Sequence, residues 1–161
     1  MEFLSNLHPQ IVHFPIAILI LYAVFELIGI ILKRDSLQKT AHLLLAIGVL
    51  TAIAAVLTGN QAAELVKLKV STNFESLIEE HETFATITLW YFFATLVLRT
   101  YLILKQKFSG VYKYLFIPIV LVGIYFIYQT GNHGGKLVYK YGIGTEVMQN
   151  DIIKPINEIK K

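Results

Sequence analysis

His8-Pro9-Gln10-Ile11-Val12-His13-Phe14-Pro15 opens an apolar run that continues from Ile16 to Leu32 with one acid, Glu26, inside it. The run is long enough for a membrane span, which takes about 20 mostly apolar residues. Two histidines at its mouth are polar groups at the edge of a bilayer, where an unpaired side chain is costly and points to a partner or a task. Pro9 suits a first helical position, where the missing N–H is not needed. Pro15 belongs to the first turn of a later start, or kinks the helix just above His13.

Working outward from this first span, at about 11–32, three further apolar runs follow at about 40–58, 84–104 and 114–130. The chain of 161 residues is 55% hydrophobic and 16% charged, whereas soluble domains carry about 25% charged residues. The expected fold is all-α: a four-helix transmembrane bundle embedded in the lipid bilayer, one domain over residues 1–147, and a polar tail over 148–161. The net charge is +3 and the basic residues are not interleaved with aromatics, which argues against nucleic acid. The absence of cysteine excludes disulfides, iron–sulfur ligation, c-type haem attachment and thiolate metal sites. The first run lacks a basic n-region and a small-residue cleavage site, so it reads as a retained span. No internal repeat is visible.

The connections add detail. Ala46, Gly48, Ala52, Ala54 and Ala55 give the second span a surface that lets helices approach closely. Gly59-Asn60 reads as its end. Thr72-Asn73-Phe74-Glu75 has the form of a capping box. From there Phe74, Leu77, Ile78, His81, Phe84, Ala85 and Thr88 share one helical face, which turns His81 inward. Gly131-Asn132-His133-Gly134-Gly135 reads as the stop of the fourth span, and Lys136–Val147 as a short extended C-terminal flap on the membrane surface.

Orientation follows from the basic residues. Lys33, Arg34 and Lys39 occupy the first loop, and Lys105, Lys107 and Lys113 the third. Lys67 and Lys69 in the second are diluted by Glu64, Glu75, Glu79 and Glu80. Both termini are therefore expected on the outer, periplasmic side. His8, His13, His81 and His133 then gather at one membrane depth, with only His42 at the other. Glu26 and Arg99 each lie inside a span, where an ionised side chain costs about 2.5–3.5 kcal/mol, so they are expected to pair and join spans one and three.

The opening HPQIVHFPIAIL and the closing GNHGGKLVYKYGIG resemble the bacterial membrane family labelled domain of unknown function 2231, as does the histidine that starts the third span, His81. The resemblance runs from His8 to Gly144. It implies a four-helix domain in a bacterial inner membrane. It also implies a redox setting, since related domains occur joined to cytochrome c-like or Rieske-like modules. No such module is seen in these residues, so any redox partner is expected to be a separate chain.

The first functional reading is a small b-type cytochrome-like protein. Haem b would be held by His13 and His81, with His133 as substitute for either and His8 as a further contact, for electron transfer with a quinol or a periplasmic cytochrome. Lys136 and Tyr139 are candidates for the propionates. The alternative is a zinc or copper site on His13, His81 and His133, completed by Asn60, Glu80 or Glu82. No HExxH helix motif accompanies it. A third reading is a cofactor-free accessory subunit of a membrane respiratory complex, whose histidines only hydrogen-bond. The metal reading would serve metal handling or metal-assisted hydrolysis, and whether the chain is an enzyme stays open.

Overall fold

In lipid every backbone N–H and C=O must be satisfied inside its own segment, so uniformly apolar runs become helices. The computed structural model describes residues 2–67, 74–143 and 145. It contains α1 (Glu2–Ile11), α2 (His13–Ile31), α3 (Asp35–Lys67), α4 (Glu75–Leu104), the single turn α5 (Val111–Tyr114), α6 (Phe116–Gly135) and a π-helical turn, Lys136–Lys140. No strand occurs among the described residues. Among the described residues, four stretches are long and apolar enough to cross a membrane: Ser5–Ile31, Asp35–Lys67, Glu75–Leu104 and Val111–Lys140.

The first span is bent, not broken. Pro15 has no N–H to give the carbonyl of Ile11, so α1 ends there. Val12 keeps helical angles (φ −60°, ψ −26°), and its N–H still reaches the His8 carbonyl at 3.0 Å.

Two helices outrun their expected ends. α3 passes through Gly59-Asn60 and continues to Lys67; its 33 residues make a rod about 50 Å long. α6 passes through the glycines at 131, 134 and 135 and runs on into the π-helical turn, where the sequence suggested an extended flap. The cause is burial of apolar side chains. Leu137 and Ile143 pack with Ala63 and Ile78, and the Ile143 N–H donates to the Leu137 carbonyl at 2.9 Å. This cluster closes one end of the bundle. Thr72 and Asn73 of the capping box, and the tail 148–161, lie outside the described residues.

The helices form a square. α2 lies along α3, α3 on α4, α4 on α6, and α6 back on α2, leaving α2 and α4 on one diagonal. Leu19, Tyr22, Leu45, Val49, Phe92 and Val120 fill the middle. Glycine sets the close approaches: a Cβ on Gly48 would stand 2.5 Å from Leu19 Cδ2, and one on Gly123 would stand 2.7 Å from Phe92 Cζ. The Thr88 hydroxyl donates to its own helix at Phe84 O (2.7 Å) and lies 2.8 Å from the Thr130 hydroxyl on α6. Thr88→Val is expected to cost about 0.6–1.7 kcal/mol, the range for hydrogen bonds between membrane helices. The unfolding midpoint in SDS reads this out, and an unchanged midpoint would mean the bond adds nothing to helix association.

Candidate functional site

Four of the five histidines lie toward the end of the bundle closed by Leu137 and Ile143, and their side chains fare differently. His8 follows from a seven-residue spacing. His8, Pro15, Tyr22 and Gly29 are two turns apart in succession, so they share the stripe that faces the bundle. Pro15, Tyr22 and Gly29 are all buried, and His8 is partly buried beside α3. His13 stands two residues before Pro15, about 200° around the helix, and is exposed. The expected pairing of His13 with His81 across the bundle is therefore not what the geometry brings together. His8 takes the inward position.

The His8 ring rests on Gly59 of α3, where an added Cβ would come within 2.9 Å of Cε1. His8 Nδ1 lies 3.3 Å from Thr58 Oγ1, and the Ala55 carbonyl is against the ring. The Thr58 hydroxyl already donates to the carbonyls of Ala54 (2.9 Å) and Ala55 (3.1 Å). With its one proton given to either carbonyl, it is left to accept from His8 in the tautomer that protonates Nδ1.

His81 repeats this arrangement between α4 and α6. Its ring rests on Gly134, again with an added Cβ 2.9 Å from Cε1. The Thr130 carbonyl is against the ring, while His81 Nδ1 is buried with no hydrogen-bond partner. His8 and His133 both lie within electrostatic reach of His81.

His133 is already engaged. Its ring stacks on Phe84 with centroids 4.6 Å apart and planes at 16°. Its Nδ1 donates to the Gln129 carbonyl at 2.7 Å, and its Nε2 faces Glu80 Oε1 at 3.1 Å. Both nitrogens thus point at oxygens that only accept, and neither is left for a ligand without breaking a contact. Glu82 is held by Lys67 at 2.8 Å, and Asn60 is exposed. Among the described residues, no three His, Asp or Glu side chains converge on a point where they could hold a metal ion. Lys136 and Tyr139 on the π-helical turn are exposed.

The opposite end holds the expected ion pair. Arg99 of α4 meets Glu26 of α2 across the diagonal, and both are fully buried. A second Arg99 nitrogen, Nη2, donates to the Gln38 carbonyl at 2.7 Å. The guanidinium stacks over Phe108, 4.4 Å from its centroid, and lies 5.5 Å from that of Phe116. His42 belongs to this end, within reach of the Arg99 charge.

A family model described as a predicted membrane protein (DUF2231) matches residues 4–147. No curated protein and no solved structure matches the chain.

Proposed function

The chain belongs to the DUF2231 family of predicted membrane proteins, and from that premise we propose that it is a membrane-embedded haem protein that passes single electrons, with His8 and His81 as the axial ligands. The observation that carries this reading is the shared environment of the two imidazoles. Each leans on a glycine of the neighbouring helix and has a backbone carbonyl against it; His8 Nδ1 lies 3.3 Å from the Thr58 hydroxyl, while His81 Nδ1 is buried without a hydrogen-bond partner. Histidines that bind metals are commonly oriented through the ring nitrogen not used for binding, and the Thr58 hydroxyl is placed to do this for His8. Two such rings, presented from α1 and α4, suit bis-histidine ligation.

Haem b held there supplies one-electron redox chemistry. The protein orients both imidazoles, and the Leu137–Ile143 cluster shields that end of the bundle. Lys136, exposed nearby in sequence, is the candidate cation for a propionate. Lys33, Arg34, Lys39, Lys105, Lys107 and Lys113 flank the other end of the spans, which supports an outer, periplasmic placement of the histidine end in a bacterial inner membrane. The electron partner there is a periplasmic cytochrome, a respiratory-complex subunit or a quinol. The zinc or copper alternative has less support, because Glu80 and Glu82 are taken by His133 and Lys67.

A reduced-minus-oxidised visible spectrum of the full chain, expressed with ample haem and purified in detergent, tests the reading. A sharp b-type α-band is expected. His8→Ala and His81→Ala should each lose more than nine-tenths of it, while His13→Ala keeps it. A colourless wild-type protein would overturn the proposal and make elemental analysis for zinc and copper the next step. Loss of the band in His13→Ala alone would overturn the ligand assignment.

A further inference from the structure

The molecule is built twice. α2 ends at Ile31, and α4 ends 73 residues later at Leu104. Two positions beyond each end stands a non-glycine residue with positive φ, Lys33 at 52° and Gln106 at 55°, again 73 apart. The closing hydrogen bonds repeat with the same shift. Arg34 N–H donates to the Gly29 carbonyl at 3.0 Å, and Lys107 N–H donates to the Leu102 carbonyl at 2.8 Å. Buried Pro15, Leu19, Tyr22, Glu26 and Gly29 correspond to buried Thr88, Phe92, Thr95, Arg99 and Leu102. Helical periodicity alone would allow several shifts. The helix ends and the positive-φ residues select this one.

The second helix of each hairpin repeats with a shift of 75. Buried Ala41, Leu45, Gly48 and Ala52 correspond to buried Phe116, Val120, Gly123 and Ile127. Contacts between the helices repeat as well. Leu19 sits on Gly48 as Phe92 sits on Gly123, and His8 sits on Gly59 as His81 sits on Gly134. The carbonyls against the two imidazoles, Ala55 and Thr130, are also 75 apart. The contacts between hairpins, α3 on α4 and α6 on α2, exchange with each other under the same operation.

These equivalences describe a pseudo-two-fold axis running along the bundle between α2 and α4. Glu26 and Arg99 meet on it. Eighteen residues separate His8 from Glu26, and eighteen separate His81 from Arg99. That is five helical turns, so both histidines return to the axis about 27 Å away. The bend at Val12 keeps helical angles and preserves this phase.

We infer that His8 and His81 are the two equivalent halves of a single site on this axis, and that it takes one metal centre, the haem iron, between imidazoles contributed by different hairpins. The inference rests on the haem reading above and goes beyond it. It makes the bound group a clamp between the two hairpins at one end, as the Glu26–Arg99 pair is at the other. It also makes the two ligands interchangeable in their effect on the iron.

Methionine in place of either ligand tests this, because an axial thioether raises the potential of a bis-histidine haem. Measured by redox titration of the full chain, His8→Met and His81→Met are expected to shift the midpoint upward by the same amount, with His13→Met unchanged. Should the methionine variants lose haem, His8→Gly and His81→Gly supplied with free imidazole should recover the low-spin spectrum to the same extent. A red wild-type protein in which one of the two variants keeps the parental potential, or in which only one is rescued by imidazole, overturns the shared site and leaves the haem reading standing. A colourless wild type overturns both.

Discussion

Arg99→Met is expected to destabilise the protein by about 3–5 kcal/mol, the usual cost of removing one partner from a buried ion pair. Glu26 is 0% exposed, so its carboxylate would be left in the low-dielectric core without the cation that offsets its desolvation. The variant also loses the bond to the Gln38 carbonyl and the stacking on Phe108. Both losses push the same way. The double variant Glu26→Met/Arg99→Met should recover most of the stability, because apolar side chains of similar volume replace buried pairs at little cost. Unfolding in SDS measures both. An unchanged midpoint for Arg99→Met would mean that the pair holds nothing together. The haem spectrum of Arg99→Met, recorded well below its melting temperature, should be that of the wild type. The site lies about 27 Å away along the helices, and only the linkage through global unfolding connects the two ends.

Much of this architecture is legible in the sequence, and the missed part has a definite cause. Long apolar runs with few charges specify helices and their number. The cost of an ionised group in lipid brings Glu26 and Arg99 together on paper before any coordinates do. The identity of the inward histidine is less plain, because His8 and His13 both stand at the mouth of the first span. The deciding signal is the seven-residue series His8, Pro15, Tyr22, Gly29, which leaves His13 on the lipid side. The duplication is hidden for a different reason. Corresponding positions keep their burial but exchange chemistry: leucine for phenylalanine at 19 and 92, tyrosine for threonine at 22 and 95, glutamate for arginine at 26 and 99. Packing constrains which positions face inward far more than which residue fills them. The charge exchange at 26 and 99 is itself informative, since two like hairpins would bury like charges against one another.

On the proposed haem reading, Gly134→Val is expected to lower haem occupancy at least tenfold, while Gly131→Val, one turn earlier on the same helix, leaves it unchanged. A propensity-based reading makes the glycines of Gly131-Asn132-His133-Gly134-Gly135 equal, as helix breakers. The structure separates them. A Cβ at 134 would stand 2.9 Å from His81 Cε1, whereas a Cβ at 131 meets nothing within 4 Å. Glycine inside a helix costs about 1 kcal/mol relative to alanine, and at 134 the ring that occupies the notch supplies a reason to bear it. Filling the notch costs about 1–3 kcal/mol of overpacking. It also moves the imidazole off the axis, and a ligand displaced by about 1 Å no longer meets its metal well. The internal duplication predicts the same loss for Gly59→Val, through His8. Haem-to-protein ratios from the pyridine haemochrome, measured on the three variants side by side, decide it. Full occupancy in Gly134→Val would show that His81 does not bind iron from its present position. Equal losses at 131 and 134 would show that the effect is helix disruption and not the filling of a cradle.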